Sequence, residues 1–390
     1  MSRGRPALRV AVDARPGVSA GMTGIGIYTR ELLRHLPRVD PRTTYLAWYL
    51  NARAALRPWR PPRFFEPAPN LVERWTPFPS AWWERLAAER DLPRVEWFVR
   101  FDVLFAPNFI PPPTRSRRVV LTVHDLAFRR FPETAPHATR RWLGKLDDAL
   151  RRAAHVIVPS QATRDDLVEL ASFDADRVTV VPHGVDRGVF RPPADDEVAR
   201  VRRRFGIDGP YLVFIGGLEP RKNLPRLLRA FAEVPGDVRL VVAGAWVPWN
   251  PEGVDQLRPV VDALPPETRA RLVFPGYVGE RDKVALLGGA EALAYPSRYE
   301  GFGLPVLEAM AVGTPVLTST VSSLPEVAGD AAVLVDPDDE GAIAEGMTRL
   351  LSDRELAASL RAAGLERAAR FSWDETAKRT ATVLHLAARG

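Results

Sequence analysis

The sequence contains no cysteine. That excludes a disulfide framework, a thiolate metal site and a cysteine nucleophile, and it fits a cytoplasmic protein. Lysine is scarce: only Lys145, Lys222, Lys283 and Lys378 among 54 basic residues, the rest being arginine. The formal net charge is +6, yet the arginines are spread along the chain and interleaved with acids. No basic stripe of the kind that binds nucleic acid is visible, so no nucleic-acid partner is expected. No apolar run approaches the ~20 residues of a membrane span. The opening, MSRGRPALRVAVD, leads into a strand and has no signal-peptide core. Peripheral attraction to an anionic membrane face stays open. The dinucleotide fingerprint G-x-G-x-x-G is missing, because the loop after the first strand is too long and its glycines are wrongly spaced. A nicotinamide enzyme is thereby disfavoured. The G-x-x-x-x-G-K-[ST] phosphate loop is missing too, which disfavours an ATPase or kinase of that type.

What is present is an alternation of strands and helices through all 390 residues. That length suggests two domains, and the alternation argues a parallel-sheet α/β fold in each half. Strands are expected at 8–13, 44–50, 102–106, 119–124, 155–159 and 178–181, then at 211–215, 239–243, 271–274, 290–295, 316–319 and 332–335. Gly24 and Gly26 open a helix that should end before Pro37. They leave room for a phosphate or an acceptor hydroxyl, or serve as an ordinary loop and cap. Residues 53–79, rich in Pro and Arg, read as irregular surface. Trp82, Trp83 and Leu86 fall at helical spacing, with Trp97, Phe98, Phe101 and Phe105 nearby. Core packing is the simpler reading of these aromatics, and a lipid interface is the alternative. A last amphipathic helix starts at Ser372.

The most informative stretch is 295–316, YPSRYEGFGLPVLEAMAVGTPV. An apolar strand breaks into a loop at 296–303 and restarts as a helix at Leu304-Pro305, where proline suits the first turn. Gly301 and Gly303 let backbone approach a ligand closely. The helix start offers free N–H groups and the positive end of a dipole, which together favour an anion. Glu300 and Glu308 bracket it, and carboxylates accept hydrogen bonds from hydroxyls. Phosphates between two hydroxyl-bearing groups describe a nucleotide sugar. The plainer reading leaves Glu300 solvated and Glu308 complementing the helix dipole. A second glycine loop, GGLEPRKN at 216–223, follows a strand and opens a helix with Arg221 and Lys222, good phosphate chemistry. His124 sits at a strand end, where α/β sheets bind ligands, although a lone His is more often structural. Trp246 and Trp249 flank Pro248, either stacking on a ligand or capping the sheet edge.

EGFGLPVLE resembles the E-x7-E motif of the retaining glycosyltransferases of family 4. GGLEPRKN, the His124-Asp125 pair followed by LAFRRFPE, and PHGVD at 182–186 resemble the same family. VDARP…TGIGIYTREL resembles the opening of its mannosyltransferase-like branch. The resemblance implies a GT-B fold: two Rossmann-like parallel-sheet domains facing each other across a cleft, with the C-terminal helix crossing back to the first. The expected parts are 1–188 on the acceptor side, 189–371 holding the nucleotide sugar, and 372–390 as the returning helix. It also implies roles. Arg221 and Lys222 bind the donor diphosphate, Glu300 the sugar hydroxyls and Glu308 the ribose hydroxyls. His124 contacts the transferred sugar or the acceptor, and Val278 contributes backbone groups beside the base. Gly24, Gly26, Gly217, Gly301, Phe302, Gly303 and Leu304 complete the donor site. No metal and no cofactor beyond the nucleotide-sugar co-substrate are expected. The implied reaction is retaining transfer of a hexose, mannose from GDP-mannose, onto a glycan or lipid-linked glycan in polysaccharide biosynthesis. The implied location is cytoplasmic, with peripheral contact at the inner membrane face left open. Alternatives are a UDP-sugar donor (glucose or N-acetylglucosamine) and a non-catalytic nucleotide-sugar-binding protein of this fold.

Overall fold

A computed structural model of the chain describes residues 8–19, 23–52, 63–134, 144–244 and 252–390. It divides into two compact units, Met1–Leu126 with Ala138–Gly184 and Trp373–Gly390, and Ala127–His137 with Val185–Ser372.

The first unit is built on β1 (Arg9–Asp13), β2 (Thr44–Leu50), β3 (Leu71–Thr76), β4 (Val103–Ala106), β5 (Val119–Thr122), β6 (His155–Val158) and β7 (Val178–Val180). They form one sheet in the order β3-β2-β1-β4-β5-β6-β7, with every pair parallel. Strands covered on both faces need apolar residues without alternation, and VLFA and VVLT are buried throughout. Helix α1 (Gly24–Val39) is capped by Thr23, whose Oγ1 accepts from the Gly26 N–H at 3.3 Å. Its Tyr28, Leu32, Leu33 and Leu36 recur at helical spacing and are fully buried. The helix does not stop before Pro37, as the sequence suggests, but runs on to Val39. A proline in the last turn removes one intrahelical donor and leaves the rest of the ladder intact. The C-terminal helix, Trp373–Arg389, belongs to this unit, burying Trp373, Ala377, Ala381 and Leu384 with α1. Polar links flank that seam: His35 Nδ1 lies 2.6 Å from Asp374 Oδ1, and His385 Nε2 lies 2.9 Å from Asp40 Oδ2.

Two further expectations need correction here. Residues 71–76, within the stretch read as irregular, are strand β3, paired along its length with β2. It is a half-exposed edge strand carrying Glu73 and Arg74, so it lacks the apolar run that marks its neighbours. Residues 53–62 lie outside the described part. The aromatic cluster is divided rather than uniformly packed: Trp83 is buried against Trp48 at a ring distance of 5.1 Å, whereas Trp82 and Trp97 are 64% and 61% exposed.

The second unit carries β8 (Tyr211–Ile215), β9 (Arg239–Ala243), β10 (Leu272–Gly276), β11 (Ala292–Tyr295), β12 (Val316–Ser319) and β13 (Val333–Val335). The order is β10-β9-β8-β11-β12-β13, again all parallel. Strand order reverses between β8 and β11, and ligands of open parallel sheets bind beyond the carboxyl ends at such a point. The ends of β8 and β9 pack so closely that a Cβ on Gly244 would lie 1.8 Å from the Gly216 carbonyl oxygen. A short helix, Leu324–Ala328, lies between β12 and β13. Among the described residues no helix is long and apolar enough to cross a membrane.

Candidate active site

In the second unit the two glycine loops leave adjacent strands at the reversal point. After β8 the chain makes a short turn, Pro220–Lys222, and enters the helix Leu224–Ala232 through Asn223 at φ 63°. After β11 it loops to Gly303, at φ 99°, and enters the helix Leu304–Ala311. Only glycine tolerates that φ easily, and a Cβ there would meet the Leu324 side chain at 2.8 Å. Asn223 clamps the loops from beneath: its Nδ2 donates to the carbonyls of Pro296 at 3.0 Å and Pro337 at 2.6 Å. The Arg298 N–H donates to the Arg221 carbonyl at 2.8 Å.

This scaffold brings Arg221, Lys222 and Glu300 together. Arg221 Nη1 donates to Glu300 Oε2 at 2.7 Å and to the Tyr299 carbonyl at 3.0 Å, while its Nε reaches Glu219 Oε2 at 2.9 Å. Lys222 Nζ donates to Glu300 Oε1 at 2.5 Å, and the Tyr295 hydroxyl donates to the same oxygen at 2.8 Å. Lys222 and Glu300 are 7% and 6% exposed. Burial alone would raise the Glu300 pKa, but the charges of Arg221 and Lys222 outweigh it and push it down to about 2. Glu300 is therefore an ionised acceptor at any working pH and holds no proton to give. Ser322 and Ser323 staple the loop. Ser322 Oγ accepts from the Glu300 N–H at 3.0 Å and Ser323 Oγ donates to the Glu300 carbonyl at 2.8 Å.

Glu308, one turn into the second helix, is also buried. Its Oε1 accepts from Lys283 Nζ at 2.7 Å. Burial still raises its pKa, the Lys283 charge offsetting only part of the penalty and Glu280 adding to it. Tyr277 and Val278 connect β10 to the helix Glu280–Gly288 that carries Lys283. Gly217, Gly301, Phe302 and Leu304 lie in the two loops or at the helix start, with Phe302 buried against Phe371 at a ring distance of 5.9 Å. Trp246 and Trp249 lie outside the described residues.

The first unit has a different constellation at its own strand ends. His124 lies two residues beyond β5, not within it. Its Nε2 faces the Pro107 carbonyl at 3.0 Å, so that nitrogen carries the proton and Nδ1 is an acceptor. Burial lowers its pKa despite the Pro107 bond and nearby Asp125. His183 is buried beside it, ring centres 5.6 Å apart, between Tyr28 at 4.7 Å and Trp373 at 6.0 Å. Burial, then repulsion from His124, holds the His183 pKa well below the usual histidine value. Gly24 and Gly26 form the first turn of α1, and among the described residues a Cβ on Gly24 would meet no atom within 4 Å. Tyr295, Tyr28 and Trp373 carry no local pattern that marks them as partners. Lys283 alone had a signal, being one of four lysines.

Two family descriptions match the chain almost end to end: Glycosyltransferase Family 4 over residues 22–189 and Glycosyl transferases group 1 over residues 196–367. O-antigen chain mannosyltransferase B of Escherichia coli is 34% identical over 283 residues, covering 71% of this chain and 72% of that protein. Serotype-specific mannosyltransferase WbdA of the same species is 28% identical over 248 residues, 62% of this chain but only 30% of that longer protein. Among solved structures, HepE of Anabaena, in complex with UDP and glucose, superposes with a TM-score of 0.70 over 97% of this chain and 100% of its own, at 19% identity. The two parallel-sheet units, the charged loops at the strand reversal and these likenesses converge: the chain is a glycosyltransferase of family 4 with the GT-B fold.

Proposed function

We propose that this chain is a retaining hexosyltransferase that moves mannose from GDP-mannose to a glycan or lipid-linked glycan in polysaccharide biosynthesis. The observation that carries the reading is the convergence of Arg221, Lys222 and Glu300 at the strand reversal. Departure of a nucleoside diphosphate builds negative charge on its phosphates, and preorganised cations in a dry site stabilise that charge best. Arg221 and Lys222, with the N–H groups at the start of the helix Leu304–Ala311, supply it without a metal. Glu300 accepts hydrogen bonds from sugar hydroxyls, and Glu308 from the ribose hydroxyls. We assign His124 to the transferred sugar or the acceptor, and the Val278 backbone to the base. In the reaction the bond from the sugar anomeric carbon to the phosphate oxygen breaks. The acceptor oxygen bonds to that carbon from the same face, and its proton passes to the departing phosphate. Similarity to two proteins named as mannosyltransferases supports mannose. A UDP-sugar donor is the second reading, favoured by the UDP and glucose held by HepE.

Thermal unfolding with GDP, UDP and their mannose, glucose and N-acetylglucosamine conjugates, all in chelator, separates them. A ligand at ~100 times its dissociation constant adds about 2.7 kcal/mol of stability. Stabilisation by GDP and GDP-mannose alone is the expected result. A shift confined to UDP compounds replaces the donor and keeps the reaction, and no shift with any of them overturns the site assignment.

A further inference from the structure

The ion pair between Lys283 and Glu308 lies outside the diphosphate constellation, yet one of its members is the carboxylate assigned to ribose. Its geometry is that of a built site. Glu308 is 6% exposed, and the Lys283 side chain is 16% exposed, with Nζ 2.7 Å from Oε1 and 4.8 Å from the centre of the Phe190 ring. A lysine held between a carboxylate and an aromatic face has little freedom to leave either. Lys283 stands on the first turns of the helix that follows Tyr277 and Val278, the segment assigned to the nucleobase. The pair thus ties the base loop to the carboxylate on the next glycine-started helix, 25 residues away.

We propose that Lys283 is a positioning residue for nucleoside recognition: it fixes Glu308 Oε1 and so aims the rest of the carboxylate at the ribose hydroxyls. The ligand class is a ribonucleoside diphosphate. A deoxyribose lacking one hydroxyl leaves part of a buried, oriented carboxylate unpaired, and a site built to bond a hydroxyl rejects the analogue without it. Burial acts against the ionised carboxylate, and Lys283 is the cation that opposes it. Without Lys283 the carboxylate loses both its direction and its charge support. This inference rests on the assignment of Glu308 to ribose.

The test measures binding, by calorimetry, of the diphosphate selected by the thermal panel (GDP or UDP) and of its 2′-deoxy and 3′-deoxy forms. The intact protein should prefer the ribose form by about tenfold or more, the worth of one hydrogen bond to a charged group. Glu308→Gln should lose most of that preference. Lys283→Met, which keeps an apolar stem over Phe190, should lose it as well, and Lys283→Arg should restore it. Lys283→Met in the Glu308→Gln background should change the preference no further. Should Lys283→Met not fold, Lys283→Gln takes the same measurement. If Lys283→Met keeps the full preference while Glu308→Gln loses it, the positioning role is wrong and the ribose assignment stands. If Glu308→Gln itself keeps the preference, the ribose assignment falls and this inference with it.

Discussion

The two units share an architecture and differ in what they place at their strand ends. At the reversal in the second sheet the protein buries charge and compensates it: Arg221 and Lys222 against Glu300, and Lys283 against Glu308. At the strand ends of the first sheet it sets neutral imidazoles among rings, with half-buried His124 and buried His183 against Tyr28 and Trp373. One arrangement is suited to a ligand whose charge changes as a bond breaks. The other offers directional donors and acceptors with no fixed charge, suited to hydroxyls. The same fold can house both because strand ends leave their chemistry to the loops.

The charged half is also self-opposed. Glu300 takes up both Arg221 and Lys222, so on the proposed reading an arriving diphosphate must share them with it. Replacing Glu300 by Ala is therefore the change that breaks the comparison most completely. It should cost transfer about 10³-fold or more, while nucleoside diphosphate binds at least as tightly as before, since buried Lys222 loses its carboxylate and, of Glu219 and Glu300, Arg221 keeps only Glu219. Calorimetry with the free diphosphate, beside a transfer assay, reads both. Near-normal transfer would remove Glu300 from the reaction, and lost diphosphate binding would show that it acts by holding the loop.

Arg221→Ala comes next. Lys222 still holds Glu300, so the loop keeps one of its two ion pairs. Loss of a donor aimed at developing charge should lower kcat about 10²-fold, with a smaller effect on KM for the donor. Steady-state kinetics with donor and acceptor varied separately decides it. A change confined to the KM of the acceptor would be incompatible with a role at the diphosphate.

These loops could be found in the sequence because their chemistry is local. A glycine at positive φ, a proline in a first turn and a basic pair at a helix start are each written in a few adjacent residues. Long-range pairing was not readable. Tyr295 meets Lys222 across 73 positions and Ser323 meets Glu300 across 23, and no spacing rule links such residues. Strand β3 was missed because an edge strand keeps polar residues on its open side. The stop assigned to Pro37 failed because a proline in the final turn forfeits only one bond. Residues 324–328 form a helix of barely more than one turn, too short for periodicity to declare.

The neutral half of the comparison predicts the smallest effect, and the one most specific in its pH range. His183 has a folded pKa well below its unfolded value, set by burial and by His124. The unfolded chain then binds the proton that the folded chain refuses. Stability contributed by the neutral imidazole is fully present above pH 6.5 and is lost as pH falls toward the folded pKa. The rate is about 1.4 kcal/mol per pH unit for one such group. Glu300 has the opposite placement: its folded pKa of about 2 keeps its contribution intact down to about pH 4.5. Acid sensitivity between those two limits should therefore report on the imidazoles rather than on Glu300, with Glu308, whose pKa burial raises, working against the loss. His35, whose pKa is raised by Glu31 and Asp374 despite burial, works in the opposing direction, so the informative quantity is a difference between variants. His183→Phe keeps an aromatic ring against Tyr28 and Trp373 and removes the titration. Urea midpoints of the two proteins, taken from pH 7.5 to 5.5, should separate as the pH falls below 6.5, with the variant losing less. Parallel slopes would mean that the His183 site admits a proton on folding as readily as water does. The first unit would then hold a charged cluster like the second, and the contrast between them would be lost.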